Sequence, residues 1–95
     1  MSRYVVSPLS RTDLDGIWDY IAADNIAAAD RTLERFHELI RMLARQPLIG
    51  ESRDDLLPQL RSFPAGNYVI YYFPIPNGVR IVRVIHAARD TAGLF

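Results

Sequence analysis

The feature that most constrains the fold is a turn between two apolar runs near the C-terminus. Residues 67–73 (NYVIYYF) are rich in β-branched and aromatic side chains, and a second such run begins at Val79. The Asn-Gly pair in Pro76–Gly78 separates them, and Asn-Gly between two such runs is a strong hairpin signal. We therefore predict strands over 67–73 and 79–87, a further strand over 60–63 and a short β-run at Tyr4-Val5-Val6.

Two apolar stripes with helical spacing lie between the first β-run and these strands. The first consists of Leu14, Ile17, Trp18 and Ile21, and the second of Ala29, Leu33, Phe36, Ile40 and Leu43. Ser10, followed by Asp13, resembles a capping box and predicts the start of the first helix. Asp24-Asn25 predicts the break between the helices, and Gln46-Pro47 predicts the end of the second.

The resulting order, β-α-α-β-β-β, predicts an α+β fold with a helical hairpin over one face of a twisted, mostly antiparallel sheet. A chain of 95 residues is expected to form a single domain, residues 1–95. It contains no cysteine and only two histidines, so we expect no metal site and no cofactor. The N-terminus has no long apolar run, so we expect neither a signal peptide nor a membrane span. This fits a cytoplasmic protein.

The charges are unevenly placed along a chain whose net charge is zero. All eleven basic residues are arginines. Residues 1–58 carry seven arginines against ten acidic residues, a balance of −3, and residues 59–95 carry four arginines against one acidic residue, a balance of +3. The C-terminal part is therefore expected to attract an acidic partner. The basic excess is too small for a free-standing, sequence-specific DNA-binding domain.

Cationic side chains interrupt the most apolar predicted strand, GVRIVRVIH. Strict alternation places Arg83 with Ile81 and Ile85 on one face, where it is either exposed or buried and paired. If it is exposed, Arg61 on the neighbouring strand could share its face with Tyr71 or Tyr72 between them, an arginine–tyrosine platform that suits RNA, phosphate or carboxylates. The alternative is a solvated face with salt bridges.

His86 follows at the end of the same predicted strand. It could act as a general base beside Arg83 and Arg89, because histidine titrates near neutral pH. We favour a histidine that hydrogen-bonds backbone at a strand end, because the sequence offers no partner acid or nucleophile for it.

Several segments together resemble the ParE-type toxins of the RelE/ParE superfamily, over nearly the whole chain. They are DLDGIW at 13–18, P-x-x-G at 47–50, Leu60-Arg61, Tyr71-Tyr72 and RVIHAARD at 83–90. The resemblance implies the toxin of a type II toxin–antitoxin system, neutralised by a ParD-like antitoxin. In this superfamily the ParE branch typically inhibits DNA gyrase, whereas the RelE branch cleaves mRNA on the ribosome.

The residues favour the gyrase branch, and hence a protein that is not an enzyme. Arg61 and Arg83 fall at positions resembling the nuclease arginines, but lysine is absent and the tail 87–95 contains no histidine, tyrosine or lysine. His86 alone would have to serve as both acid and base. A ribosome-dependent mRNA endonuclease remains the alternative, and a non-toxic member that acts only as a binding module is a third.

The interpretation as a toxin that acts by binding predicts two sets of binding residues. The candidates for contact with the target or partner are Arg61, Tyr71, Arg83, His86, Arg89, Leu94 and Phe95. We expect the antitoxin to place a helix in a groove along the helical hairpin and a strand at a free sheet edge. The groove candidates are Trp18, Phe36, Leu56 and Leu57, and the leucines, with Leu94 and Phe95, are expected to be exposed.

Overall fold

A computed structural model describes the whole chain, residues 1–95, as two helices over a five-stranded sheet. The elements are β1 (Arg3–Val6), α1 (Pro8–Ala22), α2 (Ile26–Arg45), β2 (Glu51–Ser52), β3 (Arg61–Ala65), β4 (Tyr68–Ile75) and β5 (Gly78–His86). The strand order is β1-β5-β4-β3-β2, with β1 parallel to β5 and the other neighbours antiparallel. The predicted α+β class and element order are confirmed, and β2 is an additional two-residue strand within the loop after α2.

The start of α1 differs from the prediction. Ser7, not Ser10, is the N-cap, and its hydroxyl accepts a hydrogen bond from the Ser10 amide at 3.1 Å. The reason is Pro8, whose fixed φ suits the first helical position and whose missing N–H is not needed there. Ser10 is instead buried and donates to the carbonyl of Ile81 on β5 at 3.1 Å. The Asn25 cap and the end of α2 at Arg45 agree with the prediction.

The main core lies between the helices and one face of the sheet. Leu14 and Ile17 of α1 and Phe36 and Ile40 of α2 pack there against buried strand residues such as Tyr72. These positions belong to the two predicted stripes, because residues three and four apart share one face of a helix. No helix of the chain has both the length and the apolar character needed to cross a membrane.

A β-bulge changes which side chains of β5 face the helices. Tyr72 pairs with Ile81 and Tyr71 with Arg83, so the register shifts by one residue between them. Val79, Ile81 and Val84 consequently all join the core beneath the helices. The prediction that Ile81 and Ile85 share a face is wrong: Ile81 lies in the core beneath the helices and Ile85 on the opposite face, because the extra residue of a bulge reverses the alternation beyond it.

The hairpin turn between β4 and β5 also positions β1. Asn77 has a positive φ of 64°, a backbone conformation that asparagine tolerates better than most residues. Gly78 pairs with Arg3, and a Cβ at this position would collide with the Arg3 carbonyl. The Asn-Gly signal therefore marks both a turn and the close approach of the first strand.

Candidate partner-binding groove

A groove of about 1030 Å³ opens between the helical hairpin and one end of the sheet. Its walls come from α1, the N-terminal half of α2, the β3–β4 turn and the C-terminal end of β5. The apolar lining includes Ile17, Ile21, Phe36, Tyr68 and Val84. A concave apolar surface with a polar rim is suited to an amphipathic segment of another protein.

The aromatic part of the groove is a row of three rings in edge-to-face contact. The Phe36 ring on α2 meets the Tyr68 ring on β4 edge-on, with centroids 5.6 Å apart. Tyr68 in turn meets the His86 ring at 5.3 Å, again edge-on. Edge-to-face pairs of this kind are favourable because the positive ring edge approaches a negative ring face. The three rings therefore form one wall of the groove, which runs from the buried Phe36 to the exposed His86.

The charged residues around the groove are mainly arginines. Arg31, Arg35 and Arg89 contribute to the lining, and all are exposed. Arg35 forms an exposed pair with Glu38, with 3.2 Å between Nη1 and Oε2. Such a pair leaves the guanidinium available to another carboxylate, because exposed ion pairs contribute little stability. The rim therefore suits a partner with acidic side chains.

Arg83, a predicted contact residue, is occupied within the fold. Its Nε and Nη2 each donate to the Asp13 carboxylate at 2.8 Å, and the Val84 amide donates to the same carboxylate at 3.0 Å. The side chains are only 9% and 11% exposed. The hydrogen bond to Asp13, reinforced by its charge, raises the pKa of Arg83 above its ordinary value. Of the two alternatives drawn from the sequence, the buried and paired arginine is the one observed.

Arg61 is also engaged by the chain itself. Its Nη1 donates to the carbonyls of Leu48 and Gly50, at 3.2 and 2.7 Å. The Tyr72 hydroxyl holds the same loop by accepting from the Gly50 amide at 2.9 Å and donating to the Pro47 carbonyl at 2.8 Å. Burial raises the pKa of Tyr72, so the phenol remains protonated in this role. The P-x-x-G segment is thereby fixed to the sheet.

The arginine–tyrosine platform considered from the sequence is not present, because chain segments cover the sheet face opposite the helices. Tyr71 is buried there, and its ring contacts the Phe95 ring with centroids 5.0 Å apart. The cation over Tyr71 is Arg53, at 5.9 Å from the ring centroid, rather than Arg61 or Arg83.

The apolar residues expected at the surface form this second cluster. Its half-buried members include Leu56, Leu57, Leu94 and Phe95. They are therefore not freely exposed, since together they cover apolar sheet residues that would otherwise face water.

The four predicted groove residues do not share one surface. Phe36 lines the groove, although most of its side chain is buried in the core. Trp18 is half-buried on α1, and its Nε1 donates to Asp30 on α2 at 2.9 Å. Leu56 and Leu57 lie on the opposite face of the sheet. The groove along the hairpin is present, but only Phe36 of the four contributes to it.

His86, at the exposed end of β5, and Arg89, just beyond it, both line the groove. The His86 Nδ1 accepts a hydrogen bond from the Ala88 amide at 3.1 Å, as expected for a histidine at a strand end. No cluster of three or more His, Cys, Asp or Glu side chains is arranged to bind a metal ion.

Sequence reasoning missed several residues that build the groove. Arg31 and Arg35 are absent from the predicted binding residues, and Tyr68 lies within the predicted strand 67–73 without a predicted role. A signal was present, because Arg31 and Arg35 are four residues apart and so share one helix face. What the sequence lacked was the packing of that face beside the β3–β4 turn.

Fold and groove together define a small α+β domain with an apolar groove rimmed by arginines. The family described as ParE toxin of type II toxin-antitoxin system, parDE, matches residues 4–91, so the chain belongs to the ParE toxin family. It is thus a toxin of the type II toxin–antitoxin class.

Individual relatives agree with this assignment. A protein named Toxin ParE1 from Mycobacterium tuberculosis is 31% identical over 91 residues, covering 94% of this chain and 93% of the relative. Another Toxin ParE1, from Caulobacter vibrioides, is 29% identical over 93 residues, covering 95% and 94%. A solved structure of the chromosomal ParDE TA system from P. aeruginosa shares the fold, with a TM-score of 0.75 and 18% identity over 90% of this chain and 96% of that chain.

Proposed function

We propose that this toxin acts in the cytoplasm by binding DNA gyrase and blocking replication, without catalysing a reaction itself. We propose further that a ParD-like antitoxin neutralises it by binding in the groove. The observation that carries the first proposal is the state of Arg61 and Arg83. Both resemble nuclease arginines, yet their guanidinium groups bind a loop and a buried carboxylate of the same chain.

The spacing of Arg61 and His86 supports action by binding. Acid–base catalysis requires groups within hydrogen-bonding reach of one reacting site. His86 pairs with Tyr68 and Arg61 with Tyr72. Those tyrosines are four residues apart on β4, roughly 13 Å at about 3.3 Å per residue. His86 and Arg61 are therefore too distant to act together on one phosphate.

The groove supports the antitoxin proposal. Its apolar lining offers a surface for one face of an amphipathic segment, and Arg31, Arg35 and Arg89 offer cations to that segment's acidic side chains. The fold is shared with the chromosomal ParDE TA system from P. aeruginosa. An acidic, amphipathic C-terminal segment is the antitoxin part that this chemistry favours.

Purified protein tests the gyrase proposal directly. We expect it to inhibit supercoiling by gyrase and to increase covalent gyrase–DNA complexes, and we expect addition of the antitoxin to reverse both effects. His86→Ala should still inhibit at saturating toxin, because loss of one contact weakens binding without abolishing it, whereas a reaction that needs the imidazole would stop. Normal supercoiling at saturating toxin would refute the proposal.

A ribosome-dependent mRNA endonuclease is retained as a second candidate because of one observation. The Tyr68 phenol, the His86 imidazole and the Arg89 guanidinium line the same groove. These groups could supply an acid, a base and charge stabilisation to a bound RNA. Codon-position cuts in a translating extract, lost in His86→Ala, would favour this function over gyrase binding.

A further inference from the structure

We propose that two copies of this toxin pair edge to edge through β1 to form a reversible dimer with a continuous sheet. The inference does not depend on the gyrase proposal, and it concerns toxin free of antitoxin, because the antitoxin strand expected at a free sheet edge would compete for β1. It rests on the exposed first strand, Arg3–Val6, which lies at one end of the strand order. An unpaired edge strand offers backbone donors and acceptors to another strand.

The two edges of the sheet are protected to different extents. At the far edge, β2 has only two residues, Glu51 and Ser52, and the adjoining β3 contains Pro64, which has no N–H group. Short strands, charges and proline are the usual means of preventing edge pairing. By contrast, β1 contains no proline and no acidic residue, and Tyr4 and Val5 are 39% and 38% exposed.

The hydrogen bonds of β1 show which backbone groups are free. The Arg3 amide donates to the Asn77 carbonyl in the turn before β5 at 2.8 Å, and the Ser7 amide donates to the Ile81 carbonyl on β5 at 3.1 Å. Because the direction of the backbone groups alternates along a strand, Tyr4 and Val6 direct their N–H and C=O groups away from β5. A second strand can therefore bond to these two residues without disturbing the first ladder.

One antiparallel register uses these groups fully. If a two-fold axis passes beside Val5, Tyr4 of each copy lies opposite Val6 of the other, and each such pair exchanges two backbone hydrogen bonds. The two Val5 side chains then meet on the sheet face opposite the helices, and Arg3 lies opposite Ser7 of the second copy. Apolar side chains meet apolar side chains, and no like charges are opposed.

The neighbouring registers are poorer, which favours this one. The two-fold axis keeps the helices of both copies on the same side of the sheet. A shift of one residue would turn one copy over, so the register can change only in steps of two residues. One such step places Val5 opposite Arg3. The opposite step places Tyr4 opposite Pro8, which lacks a donor. The sequence of β1 is thus complementary to itself in a single arrangement.

A second copy fits this edge better than the occupant of the groove does. The groove meets β5 at residues 84–86, whereas β1 pairs with β5 at residues 78–81. A helix bound in the groove therefore leaves β1 uncovered, so only an antitoxin strand placed at this edge would exclude the second copy. Since each copy contributes only a four-residue strand, the interface is small and the dimer should dissociate in the micromolar range or above, as small interfaces commonly do.

Sedimentation of the purified full chain tests the proposal. We expect reversible dimerisation between about 1 μM and about 1 mM, the range of weak interfaces. Val5→Lys should be monomeric throughout, because it opposes two cations across the axis. The matched control is Ile26→Lys, at an exposed site on the helical hairpin, which should dimerise like the wild type. Circular dichroism checks that both variants are folded.

A mixture distinguishes self-pairing from other associations. Combining Val5→Lys with Val5→Glu places opposite charges across the axis and should restore dimers, which pairing through any other surface would not do. In the wild type, the amide signals of Tyr4 and Val6 should shift with concentration more than those of Arg3 and Val5. A monomeric wild type, a dimeric Val5→Lys or an unrestored mixture would each overturn the proposal.

Discussion

At the scale of single residues, the buried pair between Asp13 and Arg83 is the feature most sensitive to substitution. Asp13→Ala leaves a nearly buried guanidinium and the Val84 amide without their acceptor. Removing one partner of a buried ion pair typically costs about 3–5 kcal/mol. We expect a loss of this order in the free energy of unfolding, measured by urea denaturation.

Asp15→Ala is the matched control, because Asp15 lies on the same helix and is exposed. It should change stability by less than about 0.5 kcal/mol, as is usual for surface sites. Equal losses in both variants would show that the pair is not what holds α1 to β5. The same reasoning affects toxicity tests, since Arg83→Ala would lose activity through unfolding whether or not Arg83 touches a target.

The residue scale is also where sequence reasoning reached its limit. Alternation along the strand indicated that Arg83 was either exposed or paired, but its partner lies 70 positions away in the chain. Asp13 fitted a helix-capping pattern equally well, and local patterns cannot distinguish a cap from a tertiary partner. His86 was easier to interpret, because a strand end exposes backbone groups close by in sequence.

At the scale of elements, hydrophobic periodicity predicted both helices and the β4–β5 hairpin, since each signal lies within one segment. The predictions from periodicity were wrong where a single residue or a contact between distant segments determines the structure. The N-cap moved to Ser7 because Pro8 begins the helix, and the faces of β5 changed at the bulge opposite Tyr71 and Tyr72. Strand β2 has only two residues, too few for a periodic pattern.

Two glycines test how elements depend on single positions. Gly78→Ala should detach or displace β1, because the added Cβ meets the Arg3 carbonyl. Backbone collisions of this kind place a substitution among the more damaging ones, and we expect a loss of about 2 kcal/mol or more in thermal unfolding. Gly16→Ala, inside α1 with nothing within 4 Å of the new Cβ, should instead stabilise the chain by up to about 1 kcal/mol. A Gly78→Ala protein as stable as the wild type would show that β1 docks without this close approach.

At the scale of the whole molecule, the sheet is covered on both faces by different means. The helices cover one face, as predicted, whereas the loop containing Leu56 and Leu57 and the C-terminal Leu94 and Phe95 cover the other. The second covering could not be predicted because isolated leucines in loops carry no periodic signal, and a conformation held by long-range contacts leaves no local pattern. Its consequence is that the groove, rather than an open sheet face, is the main concave surface available to a partner.

The basic rim of the groove yields a prediction about the whole charge distribution. Arg89→Glu should weaken binding of the proposed ParD-like antitoxin by about tenfold at low salt, roughly 1.4 kcal/mol, because it repels the acidic segment proposed for the groove. Its affinity should also depend less steeply on salt, since one attractive charge is lost. Calorimetric titration measures both quantities.

Arg80→Glu supplies the contrast, because Arg80 is equally cationic and exposed on β5 but does not line the groove. If net charge alone attracted the antitoxin, Arg89→Glu and Arg80→Glu would weaken its binding to the same extent, since each changes the total charge by the same amount. If the groove is the site, only Arg89→Glu should do so, while both variants keep the wild-type unfolding midpoint. A stronger effect at Arg80 would place the antitoxin on the opposite face of the sheet and leave the groove for another partner.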